Sequence, residues 1–383
     1  MQKREQSGRM ASPPEILDLA YQTATQDLET SFLVNVAIAK KTEYICQNLQ
    51  NRAGVRLLMA CLLAKIHRPE VDVRKPYTEI GTDDAFSGRT YDEQFITAFI
   101  DHHELPCNPT TAFLTPALRN RNATLTSDLN LVGRPPQLYQ TLLQLLTDVY
   151  EDNVSAEAML AEVIRCLVVL RDEQRQRMQT LLAQLKTVKG ATPLSSEAIV
   201  TLIQQHFSSP KSSRLPVLVV AAAYKAAANY LGETVLPLQG HNAADKQTGA
   251  LGDLEITLID EDDIVTSYEM KAKRVTKNDI NHALQKISQS NKHIDNYLFI
   301  TTDVIDPEVK GYATSLYDES GGIEIAILDC ISFLRHFLHL FHRLRLDFLE
   351  AYQELVLEEP ESAVSQPLKE AFLALRRAAE SRE

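Results

Sequence analysis

The chain is poor in cysteine and in clustered metal-binding side chains. Its five cysteines (Cys46, Cys61, Cys107, Cys166 and Cys330) are scattered and odd in number. They form no CxxC pair and no Cys/His cluster, so the sequence points to neither a disulfide framework nor a zinc site. A reducing cytoplasm is the compartment such usage predicts. Long apolar runs are missing too. None reaches the roughly 20 residues that span a bilayer, so no membrane partner is expected. Residues 1–12 are polar and lack the apolar core of a secretory signal. There is no internal repeat and no low-complexity tract.

Positive charge is also in deficit, with a formal net charge of −12. A protein that grips nucleic acid usually shows a basic footprint, so the total argues against one. Phosphates respond to local charge, however. Lys271, Lys273, Arg274, Lys277, Lys286 and Lys292 follow one another closely, and only Asp279 opposes them in that stretch. Screening limits electrostatic reach to about 8–10 Å, so acid elsewhere does not cancel this patch.

What is present is a globular composition, 44% hydrophobic and 23% charged, in a chain of 383 residues. That length suits one large domain or two ordinary ones. Apolar residues at helical spacing predict helices over 16–28, 32–49, 55–66, 91–102, 138–150, 156–170 and 174–185. Two irregular stretches interrupt them, at 68–89 and 105–136, both rich in Pro and Gly. The second is long for a loop without structure, and such loops are commonly functional or disordered.

The pattern changes near Arg214. An Ala-rich apolar helix is predicted over 215–231, then strands over 254–258 and 264–270. A helix over 278–290, a strand over 297–301, a helix over 307–316 and a strand over 323–328 follow. Helices over 331–357 and 368–377 close the chain. The expected class is α/β (α+β overall), a mixed sheet behind a large helical N-terminal region. The expected domains are a helical region at 1–213, a core at 214–330, and C-terminal helices at 331–383 that pack on the core or form an interface.

The chemistry concentrates between residues 249 and 274. In a strand, alternate residues share a face. Asp253, Glu255 and Thr257 face one way, and Leu254, Ile256 and Leu258 the other. On the next strand Ser267, Glu269 and Lys271 oppose Ile264, Thr266, Tyr268 and Met270. An acidic turn over 260–263 can join the two as an antiparallel hairpin. That hairpin would bring Asp253 beside Glu269 and Lys271. Mg²⁺ takes oxygen ligands, usually one or two carboxylates plus waters and substrate phosphate. Asp253 and Glu269 can supply the carboxylates, and Glu255 is a candidate third. Lys271 can position or deprotonate a water and stabilise charge on a phosphate. Taken alone, an acid followed by Glu-x-Lys is a common accident, and the exposed face of a hairpin would also show charges. The flanking apolar strands, the basic helix and the later αβ units favour the catalytic reading.

These residues resemble the PD-(D/E)xK nuclease motif, with Asp253 as its first acid and Glu269-Met270-Lys271 as its second half. Gly252 stands where that motif usually has Pro. Residues 51–56, 75–80, 86–92, 105–116 and 244–253 resemble a type II restriction endonuclease of the SacI family. The resemblance runs from about residue 50 to 330. It implies Mg²⁺-dependent cleavage, with Mn²⁺ as substitute, of both strands of a short double-stranded DNA site. It also implies a cognate DNA methyltransferase acting on the same site without stable binding. A palindromic site presents two equivalent strands, and two-fold symmetry is the commonest oligomer form, so a homodimer is expected.

Arg and Asn are well shaped to read guanine and adenine edges. Arg89, Asn108, Arg119, Asn120, Arg121 and Asn122, in the two irregular stretches, are therefore candidates for base contact. Solvated loops, or staples between Arg and Asp83, Asp84 or Asp92, are the bland alternative. Lys246, in the loop before Asp253, and Lys273, Arg274 and Lys277 are candidates for phosphate contact. His336, His339 and His342 have helical spacing but no companion carboxylate, and are expected to be structural. Two other functions remain open at this point: a repair or junction-resolving nuclease on the same core, and a catalytically inactive DNA-binding protein.

Overall fold

The computed structural model describes residues 11–48, 51–119, 121–186, 193–238, 250–259, 263–290 and 294–381. The chain divides into two compact units, Met1–Gln176 and Arg177–Glu383.

The first unit is helical. It contains α1 (Pro13–Gln26), α2 (Val36–Gln47), α3 (Ala53–His67), α4 (Gly88–Tyr91), α5 (Thr97–His103), α6 (Pro136–Tyr150) and most of α7 (Ala156–Lys186). The expected break in α7 near residues 171–173 does not occur. Arg171, Asp172 and Glu173 are polar but carry no Pro or Gly, so nothing ends the helix. α3 is almost wholly buried, from Val55 to Ala64, and serves as the central rod of this unit. Its one buried cation, Arg56, meets Asp92 at 2.5 Å. Asp92 opens a π-helical turn, Asp92–Ile96, which inserts a residue into the predicted helix. Asp92 also accepts from the Thr111 hydroxyl and the Ala112 N–H, and Arg56 holds the carbonyl of Asn108. The loop over 105–116 is thus pinned to the core by a buried ion pair. The staple reading holds at Asp92, although its partner is Arg56; Asp84 pairs with Lys75.

The second unit is built on a five-stranded sheet in the order β1-β2-β3-β4-β5. The strands are β1 (Glu233–Val235), β2 (Leu254–Leu258), β3 (Ile264–Lys271), β4 (Asn296–Thr301) and β5 (Glu324–Asp329). β1, β2 and β3 pair antiparallel, while β3, β4 and β5 pair parallel. Helices α10 (Lys277–Gln289) and α11 (Pro307–Ser315) are the two crossovers. They bury Ile280, Ala283, Ile287, Val309 and Ala313 against Tyr297, Phe299, Ile325 and Ile327. On the other face, Leu254, Ile256, Tyr268 and Ile300 meet α8 (Ser196–Phe207), α9 (Leu215–Leu231), α12 (Cys330–Leu340), α13 (Arg345–Glu358) and α14 (Gln366–Glu380). The result is a three-layer α/β/α arrangement with a mixed sheet.

Three details differ from the sequence reading. β1, only three residues long, lies in what reads as a polar loop. The helix expected over 331–357 is interrupted by a 3₁₀ turn, His342–Leu344, after Phe341. The register of β2 on β3 slips, since Ile256 faces Thr266 but Thr257 faces Ile264. Val265 is the extra residue of a bulge. Ile264 therefore joins the core with Tyr297, and Val265 packs on the opposite side. The strict alternation from Ile264 to Met270 fails there, while its Glu269 end is unaffected. No helix among the described residues is long and apolar enough to cross a membrane.

Candidate active site

Asp253 stands at the entry to β2, where one backbone and one side-chain hydrogen bond lock it to the backbone of β3. Its N–H donates to the Tyr268 carbonyl at 2.8 Å, and its Oδ2 accepts the Met270 N–H at 2.7 Å. The strands approach so closely here that a Cβ on Gly252 would lie 2.4 Å from the Tyr268 carbonyl oxygen and 2.6 Å from Ser267 Oγ. Every residue but glycine has a Cβ, so the proline usual at this point of the motif would clash as well.

Glu269 and Lys271 extend from the carboxyl end of β3 on the face covered by α10. Lys271 Nζ lies 3.1 Å from Glu269 Oε1 and 3.3 Å from Asp279 Oδ1, in the first turn of α10. Glu269 Oε2 lies 3.3 Å from the Tyr297 hydroxyl oxygen and 3.5 Å from Lys286 Nζ. The Tyr297 hydroxyl donates its proton to the Leu251 carbonyl at 2.9 Å, which ties β4 to the segment just before Asp253.

Burial, with the Glu269 charge adding to it, raises the Asp253 carboxyl above its ordinary range; the Met270 N–H only partly offsets this. For Lys271, partial burial works against the charge, but Glu269 and Asp279 outweigh it and hold the ammonium above its usual value. The site is therefore two carboxylates that feel each other's charge, with a protonated lysine in contact with Glu269. Among the described residues, the groups there that could take an ion are the Asp253 and Glu269 carboxylate oxygens. Among the described residues no group of three or more His, Cys, Asp or Glu side chains gathers as a metal cluster. A pair of carboxylates completed by water is the habit of Mg²⁺, so the residues fit that ion.

Glu255 shares the face of Asp253, but its buried carboxylate accepts the Leu251 N–H at 2.7 Å. It braces the turn before Asp253. Lys273, Arg274 and Lys277 are exposed, the last with its ammonium 5.6 Å from the Tyr312 ring centre. A cleft of about 630 Å³ opens past the carboxyl ends of the parallel strands, lined by Ala272, Thr302, Asp329 and Lys211 among others. Tyr224 turns away from the site, its hydroxyl 2.7 Å from that of Tyr268 in the opposite layer. His339 pairs with Glu197.

Residues 192–302 match the family model of the SacI restriction endonuclease C-terminal domain. The chain carries a SacI-type restriction endonuclease domain. That SacI-type segment takes in Asp253, Glu269, Lys271, Lys286 and Tyr297, the whole of the constellation just described. A restriction endonuclease domain implies a nuclease and DNA binding. No curated protein matches the chain.

In the first unit, Arg89 is exposed and paired with Glu93 at 2.7 Å, while Arg119 and Asn122 are exposed. Asn108 is half-buried, and Arg121 Nε donates to the Ala117 carbonyl at 2.6 Å. Asn120, Lys246 and Lys292 lie outside the described residues, as does the turn over 260–262. Sequence reading placed Lys286 in the basic stretch but not beside Glu269, and it missed Tyr297, whose only signal was a polar hydroxyl on an apolar strand.

Proposed function

We propose that the protein is a type II restriction endonuclease that hydrolyses phosphodiester bonds at a specific short double-stranded DNA site with Mg²⁺. The observation that supports it is the meeting of Asp253, Glu269 and Lys271 at one end of the sheet, inside the SacI-type segment. Asp253 and Glu269 are the residues that would hold the ion, with Mn²⁺ as its substitute. When bound, the ion orients the scissile phosphate and offsets charge at the leaving oxygen. The Met270 N–H would keep the Asp253 carboxylate in place to receive it. Lys271, protonated between two carboxylates, supplies positive charge to the phosphate as the fifth oxygen arrives and holds the attacking water in place.

In open α/β sheets, ligands bind beyond the carboxyl ends of the strands, and Glu269 and Lys271 stand at the carboxyl end of β3, where the sugar-phosphate backbone would pass. Lys273, Arg274 and Lys277 take phosphates, and the loop residues Arg89, Asn108, Arg119, Asn120, Arg121 and Asn122 read bases. This divides the chain into a recognition part (1–213), a catalytic core (214–330) and C-terminal helices (331–383). The enzyme works in the cytoplasm as a homodimer, one active site per strand, beside a methyltransferase that protects the same site.

Digestion of one mapped DNA with purified protein and Mg²⁺ tests this. Discrete fragments that disappear with a chelator are expected. A smear or structure-dependent nicks would move the function to repair, and a gel shift without cutting would leave only a DNA-binding protein.

A further inference from the structure

Glu269 is the crowded point of the site. Lys271 faces one of its oxygens at 3.1 Å and Lys286 the other at 3.5 Å, so one carboxylate stands between two ammonium groups. The second lysine comes from a different element. The apolar stripe of α10 is Ile280, Ala283 and Ile287, which fixes that helix against the sheet. Lys286, next to Ile287, is thereby carried to the edge of the site. Its side chain keeps 29% of its exposure, the same as that of Lys271, so both ammoniums border solvent.

We propose that Lys286 is a second active-site lysine, which neutralises Glu269 in the metal-free protein and moves to a DNA phosphate when a divalent ion takes Glu269. The inference rests on the metal-dependent nuclease reading above. The physical reason is charge. One carboxylate cannot serve a divalent cation and two ammoniums at once, since like charges a few ångströms apart repel strongly in a half-buried site. Lys271 stands closer to Glu269 than Lys286 does, 3.1 Å against 3.5 Å, so Lys286 is the ammonium that yields. A lysine stem is long and flexible enough to swing to an anionic oxygen, and a backbone phosphate is the anion brought by the substrate. Lys286 thus acts twice, as a competitor of the ion without DNA and as a phosphate contact with it.

The test uses Lys286→Met, which keeps the stem and removes the charge, with Lys286→Arg as the charged control. Two quantities are read on the full chain. The first is Mn²⁺ affinity without DNA, by calorimetry. The second is the salt dependence of binding to a mixed-sequence duplex in Ca²⁺. Lys286→Met is expected to bind Mn²⁺ several-fold more tightly and to lose about 0.9 from the slope of log K against log salt. Lys286→Arg is expected to keep the wild-type slope. Unchanged or weaker Mn²⁺ binding by Lys286→Met overturns the exchange at Glu269, and an unchanged slope overturns the phosphate contact; either sinks the proposal. If wild-type protein itself binds neither Mn²⁺ nor DNA, the nuclease reading has failed first.

Discussion

Asp253 reaches across the strand pair to accept the N–H of Met270, the residue between Glu269 and Lys271, at 2.7 Å. One hydrogen bond therefore fixes the two halves of the motif relative to each other, whatever the length of the turn that joins them. It also holds a carboxylate in a half-buried place within reach of the Glu269 charge.

That burial makes stability depend on pH. The Asp253 carboxyl titrates above its ordinary 3.8 in the fold, chiefly through desolvation. Its contribution is fully present below the unfolded value and becomes a cost as pH rises through the folded value. Asp253→Asn, which can still accept from Met270, should be the more stable protein near pH 7 without metal. Each kcal/mol relieved is about 2–4 °C in Tm for a unit of this size. The gap should close as pH falls toward 4. Mg²⁺ should raise the wild-type Tm and leave the variant where it was, because an ion held at 100 times its Kd adds about 2.7 kcal/mol. Thermal unfolding at several pH values, with and without Mg²⁺, checks this; a less stable variant at neutral pH contradicts it.

Gly252→Ala should cost about 1–3 kcal/mol, since its Cβ would strike the Tyr268 carbonyl oxygen and Ser267 Oγ. Asp253 would shift with it, and Mg²⁺-dependent cleavage should fall. Gly311, inside α11, has nothing within 4 Å of an added Cβ. Gly311→Ala should be neutral or stabilising by up to about 1 kcal/mol. Denaturant titration of both variants decides whether close approach, rather than backbone freedom, is the reason for glycine at 252.

In the first unit, Asp92→Ala should destabilise by about 3–5 kcal/mol, because it strands the buried Arg56 guanidinium. Arg56→Met with Asp92→Leu should recover much of that loss, since no lone charge remains. If the double variant is as unstable as the single one, the hydrogen bonds to Thr111, Ala112 and Asn108 matter more than the charge pair.

The sheet and the acid pair were legible because strands of period two carry their own record of which residues share a face. Asp253, Glu269 and Lys271 could be placed together from alternation and one short turn. Lys286 and Tyr297 could not. They reach Glu269 through the parallel pairing of β3 with β4 and the crossover of α10, neither of which leaves a local trace. The bulge at Val265 was hidden because Ile264 and Val265 are both apolar, so either can face a core. Asp92 was visible as a possible staple, but its partner Arg56 lies on another helix, and the π turn that Asp92 opens has no sequence signature.

Specificity should separate by variant. Arg119→Ala or Arg121→Ala should cost about 1–3 kcal/mol of discrimination at each base pair the arginine reads. Lys273→Ala or Lys277→Ala should weaken binding to all duplexes alike and flatten its salt dependence. Binding of each variant to the cognate duplex and to single-base changes, at several salt concentrations, separates the two. Uniform loss in the arginine variants with relaxed specificity in the lysine variants would reverse the assignment.

The most direct measurement is single-turnover cleavage of a mapped duplex by wild-type protein, Asp253→Ala, Glu269→Ala and Lys271→Ala across a Mg²⁺ titration, with DNA binding measured alongside. Each variant should lose about 10²-fold or more in rate at every Mg²⁺ concentration while still binding the duplex. Full activity in any one variant would remove that residue from the mechanism, and cleavage that survives exhaustive chelation would contradict the metal centre itself.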